Sequence, residues 1–162
     1  MTTPLVASLH APADLVVQAW VRSIPGLVCD GVAGQLPSDE NSWSANGFIV
    51  VPTIVGGAPE SNMPVRRPVA TIECWGTVPG SDRLPWSIPS QLAEQVIHGT
   101  FDRTTFGRSL AVQNGKVTYP SARVLSATCM SEPRRVFSDI GDYAGYLLDV
   151  RFYWVAAGEA VA

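Results

Sequence analysis

Hydrophobic and polar residues alternate most regularly over residues 145–155. Tyr146, Leu148, Val150, Phe152 and Trp154 fall on one parity, and Leu147, Asp149, Arg151 and Tyr153 on the other. Successive side chains of a strand point to opposite faces, so the pattern predicts a long strand with one face toward a core. The other face carries an acid, a base and a phenol and must meet water or a partner. With no catalytic-looking residue beside it, such a strand suggests a sheet that serves as a platform.

A helical period governs two other stretches. Pro12-Ala13-Asp14 opens the first, since proline fits an initial turn and an acid suits the positive end of the helix dipole. Leu15, Val16, Ala19, Trp20 and Ile24 form its apolar stripe, and Pro25-Gly26 stops it. The second is predicted to start at Ser87 as its cap, with Pro89 in the first turn. Its stripe is Ile88, Leu92 and Val96 with Ala93 and Ile97, and His98-Gly99 marks its end.

The remaining segments read as strands and loops. Residues 27–36 predict a short irregular strand broken by Gly31 and Gly34, and 37–46 a polar loop that includes Trp43. Residues 48–55 are β-rich, but Pro52 cannot donate to a ladder and argues for an edge or a bulge. A Gly/Pro-punctuated excursion over 56–68 ends in Arg66-Arg67. The strand over 69–75 sets Ala70, Ile72 and Cys74 on one face and Thr71 and Glu73 on the other. Asn114-Gly115 marks a hairpin within 110–119. A strand over 122–130 follows, then a loop over 131–142 carrying Arg134 and Arg135. The fold expected is α+β: a mainly antiparallel sheet with two amphipathic helices packed on one face and long inter-strand loops. No repeat is visible, and residues 1–162 are expected to form a single domain.

Composition narrows the function. Charged residues make up only 15% of the chain, well under the usual quarter. Such a surface favours association and is expected where much of it is buried in an assembly. Ten of the eleven basic residues are arginine, Lys116 being the one lysine; a GC-rich coding genome is the bland explanation. A net charge of −3 without a basic run argues against a dedicated nucleic-acid binder. No apolar run is long enough to span a membrane, and no basic stretch followed by an apolar core opens the sequence, so a cytoplasm-like compartment, or a particle assembled there, is expected. Cys29, Cys74 and Cys129 show no CxxC spacing and read as reduced, mostly buried thiols.

Candidate chemistry is sparse. His10 and His98 are far apart, no metal-ligand spacing occurs, and no cofactor is expected. Asp39-Glu40 is the one adjacent acid pair, and neighbours on an extended chain point apart, so a solvated loop is expected. Gly56-Gly57 lacks the phosphate-loop pattern, and there is no nucleophile elbow. What remains are candidate interface residues in loops: the pairs Arg66-Arg67 and Arg134-Arg135, and Trp43 and Trp86. The alternatives are solvated loop charges and tryptophans covering the edge of the core.

Several local patterns fit together. The helix over 13–22 contains a Trp20-Val21 pair. Residues 67–76 (RPVATIECWG) form a strand close to the type R-x-x-V-x-V-x-C-W-G/A, with Ala70 and Ile72 at its two valine positions. A helix with small and aliphatic residues follows over 91–98. Asp142-Tyr143-Ala144-Gly145-Tyr146 then leads into a strand containing Val150-Arg151 and Trp154. In this order the patterns resemble the tail terminator, or tail-to-head joining, proteins of long-tailed phages with flexible tails, in particular those of actinobacterial phages. The resemblance implies a structural virion protein without catalysis. It would form a homohexamer ring at the head-proximal end of the tail tube, stop further addition of tail tube protein, and offer a surface to head-completion or neck proteins. Phage DNA would pass through the lumen without specific binding, so a neutral or acidic lumen is expected. Another ring component of the neck or tail is the nearest alternative, and a small α+β ligand-binding or hydrolase domain the more distant one.

Overall fold

Along the chain the elements are α1 (Ala13–Arg22), β1 (Val32–Ala33), β2 (Phe48–Val50), β3 (Ile54–Gly56), β4 (Val69–Thr77), α2 (Ser87–Phe101), β5 (Leu110–Asn114), β6 (Val117–Cys129), β7 (Arg134–Phe137) and β8 (Tyr143–Ala156). The computed structural model describes residues 11–57, 59, 64–81, 83–115, 117–137 and 143–157. His10, Lys116 and Asp142 lie outside these, as does part of the 56–68 excursion.

All strands join one sheet, ordered β1-β2-β4-β8-β6-β5, with β3 also on β4 and β7 also on β8. Every pairing is antiparallel except β1–β2. The central pair is β4–β8, in register from Val69↔Arg151 to Thr77↔Tyr143. Beyond it, Arg66 bonds Trp154 through both backbone groups, at 2.8 and 3.0 Å, and so lengthens the ladder. On its far edge β4 meets β2 at one end and β3 at the other. Pro52 lies in the break between those two short strands, as a residue without an amide proton should. β8 likewise shares its other edge between β7 and β6.

The α+β expectation holds, with both helices on one face of a mainly antiparallel sheet. The parity predicted for the last strand is the observed one: Leu148, Val150, Phe152 and Trp154 are buried in the main core. Ala70, Ile72 and Cys74 of β4 and Val16, Trp20, Leu92 and Val96 of the helices complete it. Trp20 stacks on Phe106 at 6.2 Å and meets Phe152 edge-on at 5.2 Å.

Several boundaries differ from expectation. Ser87 is the first helical residue of α2 rather than its cap; Trp86 holds the cap position, with no side-chain capping bond. The helix runs through His98-Gly99 to Phe101, and Gly99 is a contact point rather than a stop: a Cβ there would lie 2.8 Å from Ile24. The hairpin's second arm and the strand predicted after it are one continuous strand, β6. The stretch predicted as a loop around Arg134-Arg135 contains β7, zipped onto β8 from Arg134↔Leu147 to Phe137↔Ala144.

Candidate functional site

The second face of the sheet has two regions. Toward β1 and β2, the segment 37–46 folds back over the strands, and Trp43, Phe48 and Val50 form a second buried cluster. Trp43 is fully buried. Its indole meets Tyr143 edge-on at 5.2 Å and donates to the Pro37 carbonyl at 3.3 Å. The expectation that Trp43 offers a partner contact is therefore corrected: it closes a core. Asp39 caps the 3-10 turn through the Asn41 amide at 3.1 Å, and Glu40 accepts from the Tyr143 hydroxyl at 2.8 Å, so the two carboxylates do point apart.

Over β4, β8 and β6 the same face is polar, and neither helix packs on it. Thr71 donates to Asp149 at 2.8 Å across the central pair, and Arg134 reaches Asp149 at 3.2 Å and Ser131 at 3.0 Å. Glu73 accepts from the Trp75 indole at 2.9 Å. Beside these groups Gly57, Arg67, Val69, Arg151 and Tyr153 line an open cleft of about 260 Å³. Among the described residues, Arg151 and Tyr153 have no side-chain hydrogen bond or ion pair.

Trp75 lies flat because β8 offers Gly145 opposite it. A Cβ at Gly145 would stand 2.6 Å from the indole ring, so the glycine is a contact requirement between the two central strands.

Arg134 and Arg135 do not act as a pair. Both sit in extended, ladder-bonded chain, where neighbours face opposite ways. Arg67 lines the cleft with Arg151, and it also borders, together with Arg66, a smaller one that includes Ala13 and Ile54. Arg134 binds Asp149, whereas Arg135 crosses to the helix side. There its guanidinium lies 4.6 Å above Trp86, and its Nε donates to the Tyr146 hydroxyl at 3.0 Å. Trp86 and Tyr146 meet edge-on at 5.8 Å. Two residues singled out separately in the sequence, Trp86 and Arg135, thus form one aromatic–guanidinium group tying β7 to the start of α2. Tyr146 was read as core and is half-buried instead. Arg151 and Tyr153 were legible as the polar parity of the last strand, but nothing in the sequence placed Arg67 beside them.

Burial pushes all three thiols up, Cys74 furthest because it is wholly enclosed; at Cys29 and Cys129 hydrogen bonds from Gly31 and Thr100 partly oppose the shift. Asp102 is held below the usual carboxylate range by Thr104, whose hydroxyl and amide donate to it at 2.7 and 2.9 Å. Among the described residues no three His, Cys, Asp or Glu side chains stand close enough together to hold a metal ion. No helix among them is long and apolar enough to cross a membrane. No protein-family model matches the chain, and no curated protein matches it.

Proposed function

We propose that this chain is the ring-forming terminator of a phage tail tube, a structural subunit without catalysis. A homohexamer of it caps the head-proximal end of the tube, stops addition of tube protein and presents a surface to head-completion proteins, at the head–tail junction of the virion. One observation carries the reading. Two of the four segments on which the resemblance rests, 67–76 and 142–154, are far apart in sequence, and within them residues 69–76 pair with 144–151 in continuous register at the centre of the sheet. The patterns therefore describe one platform rather than scattered coincidences. A polar sheet face on which neither α1 nor α2 packs and a low charge fraction suit a subunit that buries much of its surface in an assembly.

The test is to mix the purified chain with tube protein of its phage and image the products by electron microscopy. Short tubes blocked at one end support the reading. Longer tubes would make it a tube protein, and tubes indifferent to it would overturn the assignment.

A further inference from the structure

The charges are not spread evenly over this molecule. On or beside the polar face of β4, β6, β7 and β8 stand Arg67, Arg123, Arg134 and Arg151 against Glu73 and Asp149. Both carboxylates are already engaged, by Trp75 and by Thr71 and Arg134. Among the described residues the surplus on this face is +2. At the other end of the sheet the balance reverses. Residues 23–50, which hold β1, β2 and the segment folded over Trp43, contain Asp30, Asp39 and Glu40 and not one Lys, Arg or His. Asp30 and Asp39 are exposed.

β1 and β6 lie on opposite sides of the β4–β8 centre. The sheet is thus polarised, with acids gathered by β1 and β2 and cations over β4, β8 and β6. Two copies meeting through the same cationic face would oppose like charges. A head-to-tail contact, cationic side to anionic side, pairs opposite charges and leaves each copy with one unused patch of either kind. Repeated around an axis, this is the heterologous contact from which rings close.

We propose that the face bearing Arg67, Arg123 and Arg151 is the docking surface for the acidic 30–40 region of a second copy of this chain, with Asp39 of that copy entering the Arg67–Arg151–Tyr153 cleft. The inference rests on the ring reading and adds which surfaces meet. It also puts the arginine face in the subunit contact, away from the DNA path.

Charge reversal tests it. Arg151 is exposed, so Arg151→Glu leaves the fold and melting temperature unchanged. Asp39→Arg, by contrast, also removes the cap of the 3-10 turn and is compared with Asp39→Asn, which keeps a capping oxygen and removes the charge. Native mass is measured across a dilution series at low and at moderate salt for the wild type, both single variants, the double variant and an Arg103→Glu control on the helix side. Each single reversal weakens self-association by about tenfold or more, as for close charge pairs at interfaces. The double variant restores it, the control does not move it, and added salt weakens the wild type.

Assembly that persists in Arg151→Glu and in Arg67→Glu would overturn the inference while leaving the ring reading intact. A wild type that stays monomeric yet caps tubes does the same, and one that neither associates nor caps sinks both. Binding of labelled duplex DNA that Arg151→Glu abolishes, with assembly untouched, would assign the face to phosphates and overturn the proposal.

Discussion

Truncating Trp43 to alanine separates the two roles that residue can have. The side chain is fully buried under the 37–46 segment, between Phe48, Val50 and Tyr143. Burying an indole removes roughly 200 Å² from water. At about 25 cal/mol per Å² that is worth about 5 kcal/mol, in line with the 3–5 kcal/mol measured for such truncations elsewhere. The site lies beneath one surface segment rather than between two layers, so water can enter the space left behind. The lower end, about 3 kcal/mol, is expected, which for a chain of this size lowers the melting temperature by about 6–12 °C. The edge contact with Tyr143 accounts for about 0.5–1.5 kcal/mol of it. Thermal unfolding followed by circular dichroism reads the global loss, and hydrogen exchange over 37–50 reads local opening. A variant that melts within about 2 °C of the wild type, with unchanged exchange but weakened self-association, would return Trp43 to the role of a partner contact and refute the packing argument.

Three further expectations follow from the core and the thiols. Trp154→Ala empties a site at the centre of the main core and costs about 3–5 kcal/mol, enough to leave the chain largely insoluble; a soluble variant with unchanged melting would reverse the assigned parity of β8. Gly145→Ala forces a methyl group into the Trp75 ring and costs about 1–3 kcal/mol by overpacking. A double-mutant cycle with Trp75→Leu should recover part of that loss, and simple additivity would show that the ring contact is not its cause. The thiols bind their protons more tightly folded than unfolded. Their contribution is thus whole below the ordinary thiol value of about 8.5 and declines as pH rises above it. Denaturant midpoints at about pH 7 and 9.5 should fall with pH, and less steeply in Cys74→Ala; equal slopes would exclude the buried thiol as the source.

The final strand was readable because its alternation runs over eleven residues, long enough for one face to declare itself. β4 was readable for the same reason, whereas Pro52 signalled an edge or a bulge within 48–55 and the stretch is instead broken there into β2 and β3. Trp43 carried no such signal, since it stands alone among polar residues and is buried by a chain reversal that leaves no period. β7 escaped because four residues flanked by Pro133 and a Gly/Asp-rich stretch look like a loop, and two adjacent arginines invite reading as a pair. Only pairing with β8 shows that they face opposite ways. Gly99 misled in another manner: a glycine that reads as a helix stop was a contact with Ile24. The Arg67–Arg151 cleft joins two distant segments and became visible only once register was known.

The position of β8 in the sheet also sets an order of events during synthesis. β8 is the partner of β4, β6 and β7 at once, yet it is the last of the described strands to leave the ribosome. Before it arrives, β4 lacks one neighbour and β6 has only β5, so the sheet has no centre and its edges stand open. Arg151 and Tyr153 emerge with that same strand. A chain still being made therefore cannot display the cationic cleft, and the docking proposed above would have to wait until each copy is able to fold.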